Sequence, residues 1–84
     1  MAVVRLLLFA AAREAAGTSS DEFEATTVGE LLDAAGARYG ERWAEVAATA
    51  RVWVNGEEPA AGAATELAED DEVAVLPPVS GGTI

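Results

Sequence analysis

The chain has 84 residues, enough for one small domain that buries about 60–65% of its unfolded surface. Hydrophobic residues make up 51% and charged residues 24%, a globular balance that excludes a disordered chain and a membrane-embedded one. The formal charge of -10, from 15 acids against 5 bases, argues against nucleic acid, whose phosphates need clustered cations; it suits a basic protein partner.

The missing residue types narrow the chemistry further. Without cysteine there is no disulfide, no thiolate nucleophile and no zinc–thiolate site. Without histidine the commonest proton shuttle near neutral pH is lost, and without lysine a Schiff base is excluded, because all the bases are arginines. A stand-alone enzyme is therefore not expected, and neither is a resident cofactor or metal. The apolar run Val3 to Ala12 is broken by Arg5, is too short to span a bilayer and lacks a secretory layout. The expectation is a soluble, cytoplasmic protein with neither membrane nor nucleic acid as partner.

Residues 3–9 read as a strand apolar on both faces, hence internal to a sheet; Val4, Leu6 and Leu8 share one face, and Arg5, Leu7 and Phe9 the other. Residues 10–16 form a short helix-prone stretch, with Gly17 as its C-cap. After a turn at 18–21, residues 22–25 form a second strand in a loose hairpin with the first. Thr27 and Glu30 have capping-box spacing, and Val28, Leu31, Leu32, Ala35 and Tyr39 follow at helical spacing until Gly40. Residues 41–50 read as a weaker helical turn anchored by Trp43 and Val46.

Residues 51–54 read as a third strand, and Asn55-Gly56 is the strongest hairpin signal in the chain. A brief strand is expected near 57–59, with Pro59 at an edge. Residues 60–68 connect through small side chains with Leu67 as core anchor, 69–71 form a solvated acidic turn, and 72–76 form the last strand. The two most apolar strands, first and last, are expected side by side in the centre. The fold class is α+β: a roll with a mixed sheet of four to five strands, one main helix on one face and a flexible C-terminal tail. The domain spans 1–77 and the tail 78–84. The uncovered face leaves Leu7 and Phe9 on a partly exposed apolar patch, which is where a partner docks.

The tail reads Pro77-Pro78-Val79-Ser80-Gly81-Gly82-Thr83-Ile84. The prolines stop the sheet and stiffen the exit. Residues 78–84 reach at most about 23–25 Å. Two adjacent glycines allow another protein's backbone to approach without a Cβ clash.

Three stretches together carry a family resemblance: Phe9 to Gly17 (FAAAREAAG), Val54-Asn55-Gly56-Glu57, and Asp71 to Gly82 (DEVAVLPPVSGG). In order and spacing the chain resembles the ubiquitin-like sulfur carriers, and among them the small subunits of molybdopterin synthase. That resemblance implies a β-grasp fold and a carrier, not a catalyst. It implies that the Gly82 carboxylate is adenylated by a ubiquitin-activating-like adenylyltransferase and becomes a thiocarboxylate that donates sulfur in molybdopterin biosynthesis, with Gly81 as the clearance residue. It implies that Phe9 and Leu76 dock on the partner, the synthase large subunit, with Arg13 at the rim and Pro78, Val79 and Ser80 in the inserted tail. The family pattern ends at the second glycine, whereas Thr83-Ile84 follow here, which implies a tail-trimming peptidase.

Other readings compete. Glu69-Asp70-Asp71-Glu72 does not have EF-hand spacing, so a solvated turn is expected over a metal cluster. Trp43 and Trp53 are expected in packing rather than as a ligand-stacking pair, although alternation with Val52 and Val54 sets Trp53 on the other sheet face from those two. A sulfur carrier for thiamin or cysteine synthesis, and a β-grasp interaction module with an inert tail, stand as alternatives.

Overall fold

The computed structural model describes residues 2–78. Val79, Ser80, Gly81, Gly82 and the two residues after them lie outside this range, and so does the sequence expectation of a flexible tail. Within it, the chain runs β1 (Ala2–Leu8), α1 (Ala10–Ala16), β2 (Ser20–Ala25), α2 (Val28–Tyr39), α3 (Glu41–Ala48), β3 (Arg51–Val54), a 3-10 turn (Gly62–Ala64) and β4 (Glu72–Leu76). The sheet order is β2-β1-β4-β3. β1 and β4 run parallel in the centre, with Leu6 opposite Val73 and Leu8 opposite Val75, as their double-sided apolarity implies. β2 and β3 flank them antiparallel, giving the mixed sheet of a β-grasp fold.

One face of the sheet carries the core. Val4, Leu6 and Leu8 of β1, Phe23 and Ala25 of β2, and Val73 and Val75 of β4 are buried against Ala12, Val28, Leu31, Ala35, Trp43 and Leu67. α2 is the main helix and its stripe is the expected one, with Leu32 and Tyr39 at the half-buried margin. Its N-terminus closes as a reciprocal cap: the Glu30 N–H donates to Thr27 Oγ1 at 3.2 Å, and Glu30 Oε1 accepts from the Thr26 N–H at 2.9 Å. Residues 41–48 form a full helix rather than a weak turn, because Trp43 is only 1% exposed and anchors α3 against Tyr39. The layer over the sheet is thus three helices, not a single one.

Two expected strand limits move. The first strand stops at Leu8, and Phe9, read from sequence as strand, is instead the N-cap of α1. The second strand begins at Ser20, two residues early, because the turn closes by Ser19 and Ser20 already pairs with Leu7 of β1, its outer backbone groups held by the Thr18 hydroxyl.

The expected strand at 57–59 does not form. Asn55 (φ +53) and Gly56 (φ +82) make the tight turn, and Val54 and Glu57 exchange both backbone hydrogen bonds at 2.7 and 3.0 Å. Continued by two residues, this register sets Pro59 opposite Val52, and proline has no N–H to give the ladder. The sheet therefore has four strands among the described residues.

The acidic turn is a fastener rather than a merely solvated loop. Glu69 Oε1 accepts the Val3 N–H at 3.0 Å, and the Asp70 N–H donates to the Val3 carbonyl at 2.9 Å. Asp71 accepts from the Ala68 N–H at 2.8 Å and from Asn55 Nδ2 at 3.0 Å. Asn55 in turn accepts the Glu72 N–H at 2.9 Å and donates its own N–H to the Glu72 carbonyl at 2.7 Å. The hairpin turn is thereby pinned to the start of β4. These bonds, the Ala68 N–H first and Asn55 second, hold the Asp71 carboxyl below the usual carboxylate range.

The edge strand β2 is closed by side chains. The Glu22 N–H donates to the Asp21 carboxylate at 2.9 Å, and the Glu22 carbonyl accepts from Arg38 at 3.3 Å, in addition to the Thr18 contacts with Ser20. Arg38 stacks 4.0 Å from the centre of the Phe23 ring and pairs with Asp21 at 3.1 Å. Such an edge offers little to an incoming strand.

Candidate functional site: the open sheet face at the tail end

The sheet's other face carries no helix. Alternation places Val3, Arg5 and Leu7 of β1, Glu22 and Glu24 of β2, Glu72, Ala74 and Leu76 of β4, and Arg51 and Trp53 of β3 on it. Register sorts these residues into two zones. Glu22, Arg5 and Glu72 stand in one row, with Arg5 and Glu72 at 3.7 Å, so the zone where β4 begins is charged. Leu7, Ala74 and Trp53 stand in the next row, and Leu76 comes beyond it opposite Arg51. The zone where β4 ends is therefore apolar.

Phe9 completes this zone. It follows Leu8, whose partner is Val75, so it comes level with Leu76 at the sheet's end. It is 44% exposed, and it is the large hydrophobic side chain that the fold leaves most open among the described residues. Leaving this fraction of an aromatic open forfeits about 1 kcal/mol of burial. The local backbone breaks two further rules there. Phe9 is an N-cap without a side-chain cap, and Ala10, the first helical residue, sits at φ +52, a left-handed conformation that costs alanine about 1–2 kcal/mol.

Of the residues singled out from sequence, Phe9, Leu76 and Pro78 are brought to this one end of the molecule. Leu76 and Pro77 are half-buried and Pro78 is exposed. Arg13 is exposed in the last turn of α1, where its carbonyl accepts the Gly17 N–H at 2.9 Å. Gly81, Gly82, Val79 and Ser80 fall outside the described residues. Trp53, expected from sequence in packing, lies instead on the open face and outside the core. Its pairing with Ala74 puts it in the apolar zone, and alternation with Val52 and Val54, which pack on the core, was the available signal. Trp43 is buried on the helical side, so the two tryptophans form no pair.

The described residues contain little that resembles a reaction site. Hollows of about 180, 470 and 170 Å3 are lined by neither Phe9, Trp53 nor Leu76. No group of three or more Asp or Glu side chains among the described residues is arranged to hold a metal ion. No helix among them is long and apolar enough to cross a membrane. The Tyr39 hydroxyl donates to Asp21 Oδ2 at 2.7 Å and is spent on the fold; burial first, and then Asp21, push its pKa up. The same hydroxyl, followed by the Glu22 N–H, holds Asp21 below the usual range.

What remains is a β-grasp body with an exposed apolar zone beside the point where the chain leaves its central strand. These features define a small ubiquitin-like carrier. The sequence matches the ThiS family over residues 6–82, and the chain belongs to that family of sulfur carriers, which are not catalysts. The match ends on Gly82. In structure the chain is similar to the small archaeal modifier protein 1 (SAMP1) from Methanosarcina acetivorans, at 30% identity and TM-score 0.86, with 98% of each chain covered. It is similar to a putative molybdopterin converting factor, subunit 1, from Pyrococcus furiosus, at 28% identity and TM-score 0.82, covering 94% of this chain and 100% of that one. It is also similar to SAMP1 from Haloferax volcanii, at 31% identity and TM-score 0.78, covering 95% and 99%. No curated protein matches the chain.

Proposed function

We propose that the chain carries sulfur for molybdopterin synthesis on the carboxylate of Gly82. The observation that carries this reading is the coincidence of the family match, which ends at Gly82, with a fold whose central strand runs directly into that segment. On a ubiquitin-activating-like adenylyltransferase the Gly82 carboxylate oxygen attacks the α-phosphorus of ATP, the acyl–AMP bond forms and pyrophosphate leaves. A sulfur nucleophile then attacks the acyl carbon, the C–S bond forms, the C–O bond to AMP breaks, and AMP leaves. The thiocarboxylate supplies the nucleophile that the side chains lack. Thr83-Ile84 follow Gly82, so a peptidase must first open the Gly82–Thr83 bond.

Phe9, Leu76, Leu7 and Trp53 seat the body on the activating enzyme and on the large subunit of the synthase. Pro78, Val79 and Ser80 lead Gly81 and Gly82 into the partner's channel, and Arg13 contacts its rim. The similarity to molybdopterin converting factor subunit 1 supports this acceptor.

The equally close SAMP1 structures support a second reading, in which the same activated glycine is joined to amines of other proteins as a modifier. Intact mass of the protein from its native host tests both. Loss of Thr and Ile with an oxygen-for-sulfur gain is the expected result. Amide linkage of the Gly82 carboxyl to lysines of other proteins, seen as added mass of the whole chain and without any thiocarboxylate, would favour the modifier. A mass retaining Thr83 and Ile84 under cofactor demand would refute both.

A further inference from the structure

We infer that the chain is a one-way acyl donor: its activated glycine reacts with nucleophiles on other molecules, and no copy accepts another. This inference rests on the adenylation of Gly82 proposed above.

Adenylation creates a mixed anhydride whose acyl carbon is open to any nucleophile. Attack by an amine forms an N–C bond and breaks the C–O bond to AMP. AMP departs with the electron pair, the nitrogen releases a proton to solvent, and no redox change occurs. Lysine amines, cysteine thiols and histidine imidazoles are the side chains capable of this attack, and the sequence contains none of them. The five arginines do not substitute, because a guanidinium stays protonated and offers no lone pair.

Among side chains hydroxyls are the remaining class, and the fold engages five of the eight described, Thr49 among them through its bond to the Val46 carbonyl at 3.4 Å. Thr18 Oγ1 holds Ser20, Thr27 Oγ1 accepts the Glu30 N–H, Thr65 Oγ1 accepts the Ala61 N–H at 2.9 Å, and Tyr39 donates to Asp21. Charge acts in the same direction. Two copies, each at -10, repel one another, whereas a lysine-rich acceptor is drawn to the acidic body. The acceptor is therefore sulfide, or an amine on a basic partner. If the chain modifies proteins, it does so as single units and never as linked chains.

The test uses the chain ended at Gly82, which leaves the described residues 2–78 intact. It is incubated with an ATP-dependent adenylating enzyme of the ubiquitin-activating class and a lysine-containing peptide, alongside the exposed-site variants Arg42→Lys and Arg51→Lys. ATP–pyrophosphate exchange reports activation, and intact mass reports linkage. The expected result is exchange, acylation of the peptide, no two-copy species from the unmodified sequence, and a two-copy species from the lysine variants. Two-copy product from the unmodified sequence, through a hydroxyl or the α-amine, would overturn the inference. So would its absence from both lysine variants while the peptide is acylated. Absence of exchange would instead refute the carrier chemistry itself, and this inference with it.

Discussion

Asn55 ties the hairpin turn to the first residue of β4, and its removal gives a sharp test of how the tail-bearing strand is held. Asn55→Ala deletes the bonds to Asp71 Oδ1 (3.0 Å) and from the Glu72 N–H (2.9 Å). Each is worth about 0.5–1.5 kcal/mol net, the lower part of that range applying because the site is exposed. Alanine must also hold φ +53, at about 1 kcal/mol. The loss is therefore about 2–3 kcal/mol, or roughly 10–20 °C in Tm for a domain of this size. Asn55→Gly removes the same two bonds without the backbone penalty and is expected to cost about 1 kcal/mol less. Urea unfolding monitored by the fluorescence of the buried Trp43 measures both. A cost below about 0.5 kcal/mol for Asn55→Ala would refute the clip, and equal costs for the two variants would refute the backbone part of the reasoning.

Three further outcomes are expected. Ala10→Gly relieves the left-handed backbone at φ +52, so the urea midpoint should rise by the equivalent of about 0.5–1 kcal/mol; a fall would show that the strain is not there. Asp21 and Asp71 both have lowered pKa values in the folded state, so their contribution is complete above the unfolded value of about 3.9 and is lost as pH falls through the folded values. Thermal melts should therefore weaken progressively below about pH 4, and Asp21→Asn should flatten that decline; an unchanged slope would contradict the assignment. Phe9→Asp should weaken docking to the adenylating enzyme by about tenfold or more in a titration that follows Trp53 fluorescence. It should move stability by no more than about 0.5 kcal/mol, because Phe9 lies outside the core; unimpaired docking would displace the site from this face.

The elements that were legible in the sequence are those whose signals are local. Thr27 and Glu30 announce a cap because both partners lie within one turn. The central strands betray themselves because apolar side chains occupy both faces and leave no polar alternation, as in Val73 to Leu76, although only Val73 and Val75 are fully buried. Asn55-Gly56 specifies its turn because both positions need positive φ. Where local signals misled, a distant partner decided. The strand expected at 57–59 fails on a register that sets Pro59 opposite Val52, and α3 becomes a full helix because Trp43 finds a buried site.

By itself, the sequence determined which side-chain chemistries are missing and where the resemblance lies. Absence of thiol, imidazole and lysine amine is a property of composition, and the adjacent Gly81-Gly82 needs no fold to be recognised. The docking zone was the decision of tertiary structure. Leu7, Phe9, Trp53, Ala74 and Leu76 come from three strands and a cap, and their adjacency exists only through the parallel pairing of β1 with β4 and the antiparallel pairing of β3 beside them. Register is set by contacts between residues 67 positions apart for β1 with β4 and 19–25 apart for β3 with β4, and a one-residue slip would turn every one of these side chains to the other face.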